Sequence, residues 1–404
     1  MTTTARPPSL LIPTVSKKSP RIDGVPVLRK GFRLFFLLAT LYASASIALW
    51  VCVALGTFSL SSHLGGSWHA HEMIFGYSAA VIAGFLLTAV GNWTKRETLV
   101  GPPLALLGAL WIAGRIACIL PFIPAPVAAA VDVAFLPALA LALAIPIVQT
   151  KNFRNLVMIA VLLVLAALNL TMHLTALGVL HGWERRASVT GVYVVVFLCS
   201  LISGRVIPMF TRNATGVETI RTVAALERAA LVSLLCAGIC ELFPDFSATP
   251  WVAGIASVLG LARSATWGAR HSLRVPLLWV LHVGYLWIPI GLLLRFATLF
   301  WPMLPSLPTH AFTVGALGSL TLGMMARVSL GHTGRLLVAP KLATLAFVLV
   351  NLAAVVRVGL PLFSMTLWRH AIHVSGTLFS LATLSVFVAY VVVWLTPRTD
   401  GAAG

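Results

Sequence analysis

Charge is what this 404-residue chain has least of. Only 9% of its residues are charged, and its 10 acids face 28 lysines and arginines. So little polar surface excludes an ordinary soluble globule. Cysteine is scarce as well. Cys52, Cys118, Cys199, Cys236 and Cys240 lie in apolar segments without a disulfide-like framework, and they read as small buried hydrophobes. Cys236 and Cys240, an i,i+4 pair, have the spacing to offer two thiolates to Cu(I), although burial is the commoner fate of such a pair. Walker A, GxGxxG, CxxCH and HExxH patterns are all missing. Their absence removes sequence support for ATP-driven transport, a soluble dinucleotide site, covalent haem and zinc proteolysis.

What the chain has is apolar length: 59% of it is hydrophobic. Runs of spanning length predict twelve transmembrane helices in one all-α bundle. They lie near Phe32–Phe58, Trp68–Asn92, Gly101–Leu120, Pro126–Val148, Leu156–Leu180, Ser188–Phe210, Thr222–Phe243, Pro250–Trp267, Val275–Phe300, His310–Gly331, Val338–Leu360 and His370–Thr396. The bundle is expected over 31–397, between a disordered tail at 1–30 and a short tail at 398–404. Met1 to Arg29 lacks the apolar core of a signal peptide. Basic residues gather in alternate loops, at Lys95 and Arg96, Lys151 and Arg154, Arg212 and Arg221, Arg263, Arg270 and Arg274, Arg335 and Lys341, then Arg398, and the intervening loops are nearly free of them apart from Arg185, Arg186 and Arg369. The positive-inside rule then puts both termini in the cytoplasm. The net charge of +18 reads as topology and attraction to anionic lipid, with no patch suited to nucleic acid.

Ionisable groups inside a membrane point to function, and the stretch Trp68-His69-Ala70-His71-Glu72-Met73 puts several at the mouth of a span. Imidazole and thioether suit copper and iron. On a regular helix His69 and His71 stand about 200° apart, so one metal cannot take both, whereas His69 and Met73 share a face. Only one of the two therefore faces any given site: His71 is expected on the side of an iron centre, and His69 with Met73 toward copper or solvent. His63, His69, His71, His173, His181, His310, His370 and His373 all fall near outer helix ends. Helices 2, 5, 10 and 12 are thus expected to meet in an imidazole cluster, with His63 and His181 merely interfacial. His370 and His373, at i,i+3, share a face and can ligate one metal. Asn169, one turn before His173, is placed to set that ring's tautomer. Arg115 and Asp132 lie at equal depth on neighbouring antiparallel helices and are expected to pair. Arg295 and Arg357 have no obvious acidic partner and would suit the carboxylates of a bound cofactor. Ala311, Gly315, Ser319 and Gly323 form a small-residue stripe that means close packing or a macrocycle against bare backbone.

Several long motifs, in order, resemble the NnrS family. They are GFRLFF (31–36), HAHEMIFGYSAAVIAGFLLTAVGNWT (69–94), RVIPMFTRN (205–213), LHVGYLW (281–287) and HAFTVGALGSLTLGMMARVSLGHTGR (310–335). The likeness runs from Gly31 to Leu395. It implies a polytopic protein of the bacterial inner membrane with non-covalent haem and with copper, linked to nitric oxide metabolism or nitrosative stress. It implies no agreed reaction and no electron donor. Read from the residues, His71, His310, His370 and His373 are the foremost ligands, then His69 and His173. Rival readings are a secondary transporter of a metal or small anion, for which no convincing internal repeat is visible, and a redox enzyme of the haem-copper type.

Overall fold

Backbone N–H and C=O groups in hydrocarbon find partners only within a helix or a closed barrel. Every regular element among the described residues is helical. The structure, a computed structural model, describes residues 24–243, 245–301 and 306–402. Among the described residues ten helices are long and apolar enough to cross a membrane: α1 (Gly31–Ala54), α2 (Gly65–Thr94), α3 (Pro102–Ile119), α4 (Ala125–Gln149), α5 (Phe153–Ala176), α6 (Glu184–Thr215), α9 (Pro276–Ala297), α10 (Ser306–Gly331), α11 (Lys341–Phe363) and α12 (Met365–Leu395). Between α6 and α9 lie α7 (Ala224–Cys240) and α8 (Thr249–Ala265), of 17 residues each. The protein is a multi-pass membrane bundle.

Two helices form its axis. Protein buries 89% of the apolar window of α2 and 83% of that of α10, against 33–61% for the other eight. The outer helices show lipid-ready faces, as at Leu106 on α3 and Val258 on α8, 73% and 67% exposed.

The first and last long helices are locked together by charge. Arg33 of α1 is fully buried, and its Nη1 donates to the carbonyls of Val393, Trp394 and Thr396 at 3.0, 3.2 and 2.6 Å. A guanidinium over free helix-terminal carbonyls both satisfies them and opposes the helix dipole. Gly31, Phe35 and Phe36 of the same motif pack on α2, where Gly84 leaves room for the two phenylalanines, and Leu34 packs on Gly108 of α3. The two short helices are tied similarly: Arg263 of α8 pairs with Glu227 of α7 at 2.6 Å and donates to the Ser200 carbonyl of α6 at 3.1 Å.

The ends differ from expectation. Of the tail foreseen at 1–30, residues 1–23 lie outside the described residues. Pro26–Leu28 form a turn of 3-10 helix, and the Leu28 carbonyl accepts from Gly101 N at 2.8 Å. Beyond α12, Thr399 N donates to the Thr333 carbonyl at 3.1 Å, so the chain folds back on the end of α10.

The small-residue stripe of α10 resolves as packing. A Cβ on Gly315 would lie 2.4 Å from the Trp287 ring, and one on Gly284 of α9 would lie 3.0 Å from Leu320 N. Gly284→Ala is therefore expected to destabilise the bundle by about 1–3 kcal/mol, because backbone cannot yield. Gly359→Ala, with nothing within 4 Å of the new methyl, should be neutral or stabilising by about 0.5–1 kcal/mol. Thermal unfolding in detergent compares the two; equal midpoints would refute the close approach.

Candidate functional site

The two axial helices share an irregularity. Each begins its membrane passage with a π-helical turn, Glu72–Ser78 in α2 and Ala311–Leu317 in α10, and each turn starts one residue after a histidine, His71 or His310. A π turn leaves carbonyls displaced from the α ladder, and such turns are frequent at functional sites. In α2 these carbonyls find other donors: Ser78 Oγ donates to Met73 O at 2.8 Å, and Trp111 Nε1 donates to Gly76 O at 3.1 Å. Gly76 is required there, since a Cβ would stand 2.9 Å from Arg115 Nη1 and 3.0 Å from Glu72 Oε2.

Between the two π turns opens a cleft of about 180 Å³. His69 and Met73 of α2, His310 of α10 and Arg357 of α11 supply its polar and soft groups; Trp50, Val192, Leu317 and Phe379 supply apolar wall. His310 Nδ1 lies 2.6 Å from the Ser306 carbonyl, so that nitrogen carries the hydrogen and Nε2 keeps its lone pair. His69 stacks on Trp50, rings 4.6 Å apart and 7° from parallel, and its Nδ1 is buried without a partner. Arg357 is 7% exposed and its Nη1 also lacks a partner. Unsatisfied buried donors are costly. A ligand with an anionic end would answer that of Arg357.

His71 is not in this cleft. The expected wide separation of the two imidazoles is present, but the sides are exchanged: His69 faces the cleft and His71 faces an ionic cluster behind it. Its Nδ1 lies 3.0 Å from Glu72 Oε1, and its Nε2 lies 2.8 Å from Asn169 Oδ1 and 3.2 Å from Asp132 Oδ2. Acceptors on both sides require a hydrogen on both nitrogens, which makes the ring an imidazolium and leaves it no lone pair for a metal. Arg115 lies between the carboxylates, 2.5 Å from Glu72 Oε2 and in direct contact with Asp132 Oδ1. The expected Arg115–Asp132 pair is thus present within a larger set. Two cations and two anions sum to zero, which is what a desolvated cluster needs. Tyr42 also bonds to Glu72.

His173 completes the edge of the cluster. Its Nε2 lies 3.0 Å from Asp132 Oδ2, and its Nδ1 lies 3.2 Å from His63 Nε2. Asn169, expected to orient His173, bonds instead to His71 and, through Nδ2, to Asp132 at 2.8 Å. His63, expected to be merely interfacial, is folded into the protein by its loop; burial, then the nearby His173 and His71, pushes its pKa down to about 4. Among the described residues three groups of donors are close enough to hold one ion: His63, Cys118 and His173; His71, Glu72 and Cys118; and His71, Asp132 and His173. Cys118, read as a small hydrophobe, belongs to two of them.

Other expected residues stand elsewhere. His370 and His373 are exposed on the outside of α12, which lends the cleft Ile372 and Ser375 instead. Helix 12 therefore adds no imidazole to the cleft or the cluster. Arg295, expected to lack an acid, has one: its Nε lies 2.6 Å from Glu241 Oε1. It does not line the cleft.

Two further cavities continue the axis inward. A narrow apolar one shares Ser78, Val195 and Leu317 with the cleft, and a polar one at the far end, walled by Asn92, Asn152, Arg154, Arg205 and His332, shares Phe85, Ile202, Val206 and Met324 with the narrow one.

A family model described as "NnrS protein" matches residues 26–398. No curated protein matches the chain.

The cluster is tested by charge balance. Asp132→Ala leaves an uncompensated buried cation and should cost about 3–5 kcal/mol, while Arg115→Met with Asp132→Leu should recover much of it, since His71 and Glu72 still sum to zero. Thermal unfolding of the purified variants measures both, and a double variant no more stable than the single one would show the four charges are not coupled.

Proposed function

Because the chain belongs to the NnrS family, we propose that it is a haem- and copper-binding protein of the bacterial cytoplasmic membrane. It takes part in the nitric oxide response or in resistance to nitrosative stress. With α7 and α8 counted it spans the membrane twelve times, both ends cytoplasmic, as the alternation of basic loops requires.

The observation that carries the reading is the cleft between the π turns. Its residues fit the groups. His310 offers a lone pair with the opposite nitrogen held by a carbonyl, which is how a ligating imidazole is usually oriented. Arg357 presents an unpartnered guanidinium N–H to a carboxylate such as a propionate. His69 and Met73 present imidazole and thioether, a donor set suited to Cu(I). Bound there, iron or copper would supply an open coordination position for nitric oxide or a related small ligand. The chain's own part is to exclude water with Val192, Leu317 and Phe379, to fix His310 through Ser306, and to hold His69 flat against Trp50. His173, behind the cleft, adds to the cluster that orients α2.

A second reading, passage of a small anion or metal ion, draws on the file of three cavities. The middle one is lined almost wholly by apolar side chains, which opposes a charged cargo. Metal binding is favoured for that reason.

An optical spectrum of the purified protein should show haem. His310→Ala and Arg357→Ala should remove or alter it, whereas His370→Ala and His373→Ala, on the outer face of α12, should leave it as in the parent. A parental spectrum in His310→Ala with an altered one in His370→Ala would reverse the assignment.

Orientation is measured separately by cysteine labelling in a cysteine-free background. Position 95 should be shielded from an impermeant reagent added outside, and position 61 open to it; the opposite pattern would turn the bundle over.

A further inference from the structure

Outside the cleft, the two nitrogens of His173 have different duties. Asp132 is already an ion-paired carboxylate, held by Arg115 and Asn169, so the nitrogen 3.0 Å from it, Nε2, donates. That fixes the tautomer and leaves a lone pair on Nδ1, aimed at His63 Nε2 3.2 Å away. A carboxylate behind an imidazole whose other nitrogen faces outward is the arrangement that orients histidines toward metals.

The third donor comes from α3. One nitrogen each of His63 and His173 and the sulfur of Cys118 lie within 4.8 Å of one another. The loop bearing His63 is pinned over them, because Ser62 Oγ donates to the Cys118 carbonyl at 2.7 Å. Tetrahedral bonds of about 2.0–2.3 Å place neighbouring ligand atoms about 3.3–3.7 Å apart. The two imidazole nitrogens are already near that separation. Of the three donor groups this one alone avoids His71, whose nitrogens are both committed.

We propose that His63, Cys118 and His173 form a binding site for a thiophilic d10 cation on the outer side of the bundle, separate from the cleft. Nitrogen and thiolate donors without carboxylate select against magnesium and calcium. Charge selects further. The four-charge cluster beneath is neutral, so Cu(I) with the Cys118 thiolate adds no net charge, whereas Zn(II) leaves one. Binding displaces the thiol proton and the proton between the two imidazoles. His63 is partly exposed and gives the ion a way in.

The test uses the full-length protein in detergent, stripped of loosely held metal. Cu(I) is titrated against a chromophoric Cu(I) chelator, and Zn(II) against a fluorescent zinc chelator. The parent should take up one equivalent that His63→Ala and Cys118→Ser each weaken by roughly tenfold or more. His181→Ala, exposed in the next outer loop, and Met73→Leu in the cleft should retain it. Tighter uptake of Cu(I) than of Zn(II) at this equivalent would bear out the charge argument. Should Cys118→Ser fail to fold, the loop variant His63→Ala still decides. Parental affinity in His63→Ala would overturn the proposal, and so would loss of that equivalent in Met73→Leu. The second outcome would move the ion into the cleft and leave the proposed function standing.

Discussion

Arg115 held between Glu72 and Asp132, in a place from which water is excluded, is the contact on which the cleft's half of the molecule depends. An isolated guanidinium there would be expensive, and so would either carboxylate. Together with the His71 imidazolium they balance, and they can do so only if α2, α3 and α4 meet at one depth. Asn169 and His173 bring in α5 through the Asp132 carboxylate. The cluster thus fixes which way α2 is turned: with His71 and Glu72 committed behind it, His69 and Met73 face the cleft. The position of the soft donors follows from the placement of four charges that never touch a ligand.

Much of this was legible in residues and spacing, and what was missed has physical causes. Equal depth of Arg115 and Asp132 follows from helix rise alone, because both are counted from one short loop. The separation of His69 from His71 follows from helical periodicity, but the side each takes does not, since that depends on partners arriving from α3, α4 and α5. His63 was misjudged because a loop has no period from which to read direction. Cys118 looked like any small core residue, and only the fold puts imidazoles beside it, His63 from a loop and His173 from α5. Arg295 seemed alone because Glu241, its partner, caps the C-terminal end of α7, a helix with no sequence relation to α9. The exposed pair His370 and His373 satisfies the spacing rule for a chelate; spacing cannot tell which face of α12 meets the bundle.

The three axial cavities alternate in character. The cleft holds soft donors and an unpartnered guanidinium N–H, the middle cavity is apolar, and the far one is walled by amides and arginines. Hydrated ions meet a dielectric barrier at the middle step that a small uncharged molecule does not. The outer and inner ends are thereby insulated from each other electrically, although only a few side chains separate them.

The paired π turns have a consequence for how such a protein can change over generations. A π turn holds one more residue than the α turn it replaces, so gaining or losing a single codon there converts one into the other. Because neighbouring residues stand about 100° apart around a helix, that one change would swing every side chain on one side of the turn relative to the other. In α2 it would trade the residues offered to the ligand against those committed to the salt cluster. Substitutions alter this protein locally, but a length change of one in Glu72–Ser78 or Ala311–Leu317 would re-aim a whole helix face.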